Sequence, residues 1–269
     1  MASHPGTGDA TRWSLTGHHT HDRGKDQMAE HDPADATFAF VDLAGFAVLT
    51  EMCGDQEAAS LAGRLVQLAR DALEPGVAIV KTIGDAVMLR ASKPEQMVAT
   101  ILTLADRAAD EDGFLALRAG IHHGSAVDLN GDYVGHGVNV AARVTALAGA
   151  GQAVVTEHVR QACAQLGLSA DPLGPTKLHN IATPVELYAV SLAAARYPTD
   201  PVCGVRVDPR TAPSHLRHAE KDWWFCSPEC AQRFAAAPAQ YTAEEPITGR
   251  SDDGKSNKTG HSRGAPTPG

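Results

Sequence analysis

The sequence contains no apolar run near the roughly 20 residues of a membrane span, and no excess of basic residues. Lys and Arg number 23 against 32 Asp and Glu, so the formal net charge is -9. We therefore expect no membrane-spanning segment and no nucleic-acid or anionic-lipid partner, because like charges repel. The first residues are polar and rich in histidine, unlike a secretory leader, so we expect a cytoplasmic protein.

Cysteine is also scarce, with five in 269 residues. The number is odd and three of the five, Cys203, Cys226 and Cys230, lie close together late in the chain. This pattern favours metal ligation over a disulfide framework. Cys53 and Cys163 fall in predicted helices, where we interpret them as core or surface residues without a functional role.

What the sequence does contain is organised in two units. The composition, 43% hydrophobic and 20% charged, is typical of a soluble globular protein with room for one sizeable domain and a small one. Residues 1–35 and 244–269 lack apolar periodicity and are predicted to be disordered tails. Between them lie a larger unit at 36–192, a linker at 193–199 and a cysteine-containing unit at 200–243.

Apolar periodicity predicts an α+β fold for the larger unit. The predicted strands cover 37–42, 77–82, 85–91, 115–121 and 152–156, and a closing hairpin covers 173–190 with Pro184 in its turn. The predicted helices cover 55–73, 94–110, 136–148 and 157–166. This β-α-β-β-α-β order is typical of a ferredoxin-like fold, for which we expect an antiparallel sheet with its helices on one face.

Two aspartates lie at the ends of predicted strands, each near a glycine. Asp42 ends the first strand shortly before Gly45, and Asp85 directly follows Gly84, with Ile83-Gly84 as the predicted turn. Such an aspartate alone is more often a cap or turn residue, but paired carboxylates suit two divalent cations that hold a triphosphate. Downstream, Asn139 and Arg143 stand four residues apart and share one face of a predicted helix.

These stretches together resemble the catalytic domain of the class III adenylate and guanylate cyclases, from about Thr37 to Val190. The resemblance implies that Asp42 and Asp85 hold two Mg²⁺ or Mn²⁺ ions per active site. It implies triphosphate contacts from Arg118 and from the backbone of Leu43, Ala44, Gly45 and Phe46. It also implies that Asn139 orients the ribose and that Arg143 neutralises charge on the α-phosphate in the transition state.

Lys81 and Asp132 match the purine-selecting pair of adenylate cyclases. Adenine offers an acceptor at N1 and a donor at its 6-amino group, so a lysine donor and an aspartate acceptor favour ATP over GTP. In this family the metal aspartates come from one protomer and the base-binding pair, asparagine and arginine from the other, which implies a homodimer. Two positions depart from the family: Ala47 replaces a hydroxyl residue, and His179 replaces a phosphate-binding lysine.

The expected function is therefore an adenylate cyclase that converts ATP to 3′,5′-cyclic AMP and pyrophosphate. Three alternatives stay open at this stage. They are a guanylate cyclase, a metal-dependent phosphohydrolase with paired aspartates, and a non-catalytic nucleotide-binding regulator that senses a metal.

The late cysteines occur as Asp-Pro-Val-Cys203-Gly and as Cys226-Ser-Pro-Glu-Cys230. This segment resembles the YHS domain, a small treble-clef-like metal-binding module. Three thiolates suit a borderline or soft ion such as Zn²⁺ or Cu⁺. The fourth ligand is left open between His215, His218 and water. Because the linker is short, we also expect the occupancy of this site to influence the larger unit.

Overall fold

The computed structural model describes residues 33–193 and 196–242. The strands of the larger unit are β1 (Ala34–Leu43), β2 (Val77–Ile83), β3 (Ala86–Ala91), β4 (Leu117–Leu129), β5 (Asp132–Val134), β6 (Gln152–Thr156), β7 (Asp171–Thr176) and β8 (Val185–Ser191). Its helices are α1 (Phe46–Cys53), α2 (Asp55–Asp71), α3 (Pro94–Ala109), α4 (His136–Thr145) and α5 (Glu157–Gln165). None of the described helices has the length and hydropathy needed to cross a bilayer.

The strands form one mixed sheet in the order β2-β3-β1-β4-β6-β8-β7, with β5 paired to β4. The predicted purely antiparallel sheet is wrong, because β4 and β6 are parallel. Parallel neighbours require a crossover connection, and α4 supplies it between them. The closing hairpin is confirmed as β7 and β8, with Pro184 in the segment that connects them.

The helices lie on both faces of the sheet, so the predicted single helical face is also wrong. Helices α2, α3 and α5 pack on one face, where Leu65, Ile101 and Val159 join the largest hydrophobic cluster. Helix α4 packs on the opposite face through Val140 and Val144. The physical reason is that β1 has apolar side chains on both of its faces, and a strand of this kind must be covered on both.

Helix α4 lies unusually close to β4 because glycines line the contact. A Cβ built at Gly120 would lie 2.2 Å from the backbone nitrogen of Thr145, and one built at Gly137 would lie 2.9 Å from the carbonyl oxygen of Ser125. Any side chain at either position would push the helix off the sheet. The close packing turns the other face of α4, with Asn139 and Arg143, toward solvent.

Several predicted boundaries need correction. Helix α1 and strand β5 were not predicted, and β4 runs from Leu117 to Leu129 rather than over 115–121. The four predicted helices end one to three residues earlier in the structure. Ala34 and Asp35 belong to β1 instead of a tail. The rest of the predicted N-terminal tail and the predicted tail at 244–269 lie outside the described residues.

The C-terminal unit consists of the hairpin β9 (Ser214–His218) and β10 (Lys221–Phe225), followed by α6 (Pro228–Ala236) and α7 (Pro238–Thr242). It pairs with the segment before β4: the Arg206 N–H donates to the carbonyl oxygen of Phe114 at 2.9 Å, and the Gly113 N–H donates to that of Arg206 at 3.0 Å. Phe225 and Phe234 belong to the same hydrophobic cluster as the α2 and α3 side chains. The two units therefore share a core.

Candidate active site and cysteine cluster

Asp42 and Arg118 face each other across β1 and β4, which pair with these two residues in register. The Arg118 Nε donates to the Asp42 Oδ1 at 2.5 Å. Burial raises the pKa of the Asp42 carboxyl above its ordinary value, Arg118 opposes this, and the nearby charge of Asp85 raises it further. Asp42 is thus a partly buried carboxylate that has Arg118 as a cationic neighbour and Asp85 as a second acid close by.

Asp85 lies in the two-residue turn between β2 and β3. The turn is Gly84-Asp85 rather than the predicted Ile83-Gly84, and Gly84 takes a φ of 61° that favours glycine. Because β3 is hydrogen-bonded to β1, this turn places Asp85 beside the end of β1 and hence beside Asp42. Two close carboxylates supply hard oxygen donors of the kind that Mg²⁺ and Mn²⁺ bind, so the residues fit these ions.

The expected triphosphate loop lies between Asp42 and α1. Gly45 takes a φ of 84° as the N-cap of α1, and the N–H groups of the first helical turn have no partner within the helix. These groups and the helix dipole favour an anion. The Ala44 N–H is already used, since it donates to the carbonyl oxygen of Ala116 at 2.8 Å. The N–H groups of Gly45 and Phe46 follow it, and the phosphate contacts expected of this loop stay a prediction.

Lys81 and Asp132 come together from β2 and β5. The Lys81 Nζ lies 2.7 Å from both carboxylate oxygens of Asp132. A register shift between Ile79 and Lys81 sets the direction of the lysine, and a turn at Asn130-Gly131 folds β5 back along β4. The hydrogen bond from Lys81, followed by that from the Tyr133 N–H, lowers the pKa of Asp132.

Asn139 and Arg143 lie exposed on the outer face of α4. Within residues 33–193 and 196–242, neither side chain takes part in a hydrogen bond or an ion pair. The structure thus brings together Asp42, Asp85 and Arg118 in one group and Lys81 and Asp132 in another, while the two α4 side chains stand apart from both. Ala47 is exposed in the first turn of α1.

The segment 177–182 between β7 and β8 borders an open cavity of about 680 Å³. His179, which departs from the family pattern, lies in this segment together with Lys177. Both side chains are exposed. Lys177 therefore provides an exposed cationic side chain two residues before His179, the position at which the family usually has a lysine.

The three late cysteines converge, and an aspartate that the sequence analysis missed joins them. The sulfur of Cys226 lies 3.3 Å from that of Cys203 and 3.7 Å from that of Cys230. A carboxylate oxygen of Asp200 and the three sulfurs all lie within 4.8 Å of one another. The sequence feature that could have identified Asp200 is its position three residues before Cys203, in the Asp-Pro-Val-Cys stretch. Neither expected histidine belongs to the cluster: His215 contacts Asp222, and His218 packs against Phe234.

The chemistry of this cluster fits a thiophilic cation. Burial raises the pKa of Cys230 to about 12, and the pKa of Cys226 is raised by its hydrogen bond with Cys203 and by burial. Thiols held so close together ionise only when a cation compensates the charge. Asp200 also accepts hydrogen bonds from the backbone of Val202 at 2.9 Å and Cys226 at 2.8 Å, which fixes its carboxylate at the cluster.

Cys53 also lies closer to this cluster than the sequence indicated. Burial raises the pKa of its thiol, and the neighbouring Cys226 adds to the increase. Cys53 ends α1, so this thiol links the larger unit to the cysteine cluster. Cys163, in contrast, is buried under α5 in the hydrophobic core, and burial raises its pKa to about 11.

The sequence profile described as "Adenylate and Guanylate cyclase catalytic domain" matches residues 28–191. The chain belongs to this family. The cyclase domain is 42% identical over 164 residues to a protein named "pH-sensitive adenylate cyclase" from Mycobacterium tuberculosis, which covers 60% of this chain and 41% of the relative. The chain thus spans less than half the length of that relative.

Two further comparisons concern the fold and a short stretch of the chain. A solved structure of a Trypanosoma brucei adenylate cyclase in its monomeric state aligns with a TM-score of 0.54 at 19% identity, covering 65% of this chain and 93% of the other. The cyclase domain therefore has the fold of that enzyme. A 42-residue stretch is 45% identical to a copper-transporting P-type ATPase of Rhizobium leguminosarum bv. viciae, covering 16% of this chain and 5% of the relative.

Proposed function

We propose that this protein is an adenylate cyclase that converts ATP to 3′,5′-cyclic AMP and pyrophosphate. The observation that carries the proposal is the Lys81–Asp132 pair, whose donor and acceptor lie side by side with 2.7 Å between them. This arrangement complements the N1 and 6-amino groups of adenine and mismatches those of guanine. An unpaired polar group in the pocket costs about 1–3 kcal/mol, which favours ATP over GTP.

Asp42 and Asp85 are proposed to hold two Mg²⁺ or Mn²⁺ ions. Ions held there supply activation of the ribose 3′-hydroxyl and neutralisation of the β- and γ-phosphates. Arg118 pairs with Asp42 in this structure, and it is proposed to contact the triphosphate when the nucleotide binds. The backbone after Ala44 and the N-terminus of α1 complete the phosphate contacts.

The active site is proposed to form between two copies of the chain. Asn139 and Arg143 lie on an exposed helix face with no polar partner among the described residues, which suits a role at the nucleotide of a second protomer. Large apolar side chains are also exposed on strands that neighbour α4: Leu129 on β4 is 42% exposed and Val134 on β5 is 43% exposed. Burial of these side chains would stabilise a homodimer.

The C-terminal unit is proposed to be a YHS-type metal-binding module, with Cys203, Cys226 and Cys230 as thiolate ligands for Zn²⁺ or Cu⁺. Asp200 is the fourth donor that the geometry supports. A 42-residue stretch of this chain is similar to a copper-transporting P-type ATPase, and three thiolates suit a soft metal of that kind.

The decisive experiment is to incubate the purified protein with Mn²⁺ and either ATP or GTP and to measure both cyclic nucleotides. We expect cyclic AMP from ATP and much less cyclic GMP from GTP. Nucleotide binding without turnover would favour the non-catalytic regulator. Release of inorganic phosphate without a cyclic product would favour the phosphohydrolase.

A further inference from the structure

Helix α1 touches the C-terminal unit at its last two residues. The Arg233 Nη1 on α6 lies 2.9 Å from the sulfur of Met52. Next to Met52, Cys53 lies beside Cys226, and these two cysteines border one cavity of about 350 Å³. The end of α1 is therefore in contact with a residue of the proposed metal site.

The other end of α1 forms the proposed triphosphate loop. Gly45 is its N-cap, three residues after Asp42. Leu49 in the middle of the helix is 1% exposed and packs in the core that the two units share. Eight residues of helix span about 12 Å, so one short rigid element connects the two sites.

We propose that α1 couples the cysteine site to the nucleotide site, so that a soft metal ion at Cys226 changes the affinity for the nucleotide. This inference rests on the proposed function. An ion at the cluster changes the charge and the position of the Cys226 sulfur, and Cys53 borders the same cavity as Cys226. Because Phe46, Leu49 and Met52 hold one face of α1 against the core, a shift at Cys53 is transmitted to Gly45 and the first turn. Such coupling is reciprocal, so the nucleotide must change metal affinity by the same factor.

The test measures binding in the full-length protein with and without one equivalent of Zn²⁺. The probe is 3′-deoxy-ATP with excess Mn²⁺, which binds the nucleotide site but has no 3′-hydroxyl with which to cyclise. We expect Zn²⁺ to change its Kd by about fivefold or more, a typical size for coupling between two sites. We also expect 3′-deoxy-ATP to change the Kd for Zn²⁺, measured against a chelator, by the same factor.

Cys53→Ser separates coupling from metal binding, since Asp200 and the three other cysteines stay in place. This variant should still bind one equivalent of Zn²⁺, but the effect of Zn²⁺ on the Kd of 3′-deoxy-ATP should fall below about twofold. The matched control is Val48→Ala on the same helix, whose side chain is 49% exposed, and it should keep the full effect.

Hydrogen exchange of residues 46–53 gives a second measurement that needs no nucleotide. Zn²⁺ should slow exchange in this segment in the wild type and have less effect in Cys53→Ser. An equal effect of Zn²⁺ on nucleotide affinity in both proteins, or no effect in the wild type, would overturn the coupling alone. If 3′-deoxy-ATP fails to bind with or without Zn²⁺, the proposed function is overturned together with the coupling.

Discussion

The Lys81 ammonium lies 2.7 Å from each carboxylate oxygen of Asp132, although 51 residues separate the two in the chain. The contact holds a hydrogen-bond donor and an acceptor side by side before any base is present. Preorganised groups of this kind lose little conformational freedom when a ligand binds. The pair can therefore form hydrogen bonds with the edge of a planar base that carries one acceptor and one donor.

The first prediction concerns this pair. Lys81→Glu combined with Asp132→Ser reverses the hydrogen-bonding sense of both positions. The ratio of kcat/KM for ATP to that for GTP should fall by roughly 5- to 150-fold, the equivalent of about 1–3 kcal/mol. Lys93→Gln, at an exposed lysine, controls for the net change of one charge and should leave the ratio unaltered. Equal wild-type rates with the two nucleotides would refute the assignment.

The second prediction concerns the composite site of a homodimer. Asp42→Ala and Arg143→Ala should each abolish cyclic AMP formation, because each removes one half of the site. After subunit exchange, an equal mixture of the two variants should recover about one quarter of the wild-type activity, since half of the dimers are mixed and each has one intact site. A mixture that stays inactive after exchange is demonstrated would disprove the shared site.

The third prediction concerns Asp200 as a metal ligand beside the three cysteines. Asp200→Asn removes a charge from the proposed metal site and should weaken Zn²⁺ binding by at least about 10-fold, as measured against a chromophoric chelator. Asp222→Asn is the matched control, because that carboxylate contacts His215 outside the cluster. Melting of both metal-free variants checks that they are folded. Equal Zn²⁺ affinities would remove Asp200 from the ligand set.

The fourth prediction concerns the pH dependence of stability. Burial, with added repulsion from His136, His123 and His158, lowers the pKa of His122 from 6.5 to about 4. Between these values the unfolded chain binds a proton that the folded chain does not, so stability is complete above 6.5 and is lost on acidification toward 4. This loss amounts to about 2 kcal/mol near pH 5.

His122→Gln should therefore reduce the drop in Tm between about pH 7.5 and about pH 5 by several degrees. The glutamine can keep a hydrogen bond to the Thr156 hydroxyl, which lies 2.9 Å from the His122 Nδ1. The measurement is a series of thermal melts of both proteins. A drop in Tm of the same size in the variant would contradict the assignment of a partly buried, neutral ring to His122.

The fifth prediction follows from the shared core. Phe225→Ala in the C-terminal unit should cost about 3–5 kcal/mol and lower the stability of the cyclase domain as well. Fluorescence of Trp223 and Trp224 on β10 and far-UV circular dichroism should give coincident transitions in the wild type and the variant. Leu173→Ala, at a side chain that is 50% exposed, should change little. Two well-separated transitions would show that the units unfold independently.

The sequence predicted the strands that bear the carboxylates well. It did not predict that α4 covers the opposite face of the sheet from the other helices. The glycine and aspartate directly after β2 and the apolar run of β3 are local signals, and they placed the strands around Asp42 and Asp85 correctly. Helix α1 was missed because eight largely apolar residues before Gly54 have little helical periodicity. Strand β5 was missed although Asn130-Gly131 is a strong hairpin signal.

The side-chain pairs depend on register, which sequence patterns leave open. Lys81 and Asp132 were paired through the family resemblance, whereas the Asp42–Arg118 contact required the pairing of β1 with β4. Asp200 was missed because a carboxylate is an unexpected neighbour for three thiols. Its position depends on the backbone N–H groups of Val202 and Cys226, which only the folded loop brings together.

The position of α4 depends on an absent side chain. At Gly120, even one methyl group would collide with the Thr145 backbone. Gly120 therefore sets the distance between α4 and the sheet. The same distance decides how far Arg143 extends toward a second protomer in the proposed dimer. In the proposed dimer, the placement of Arg143 is thus encoded by a glycine on the strand beneath its helix.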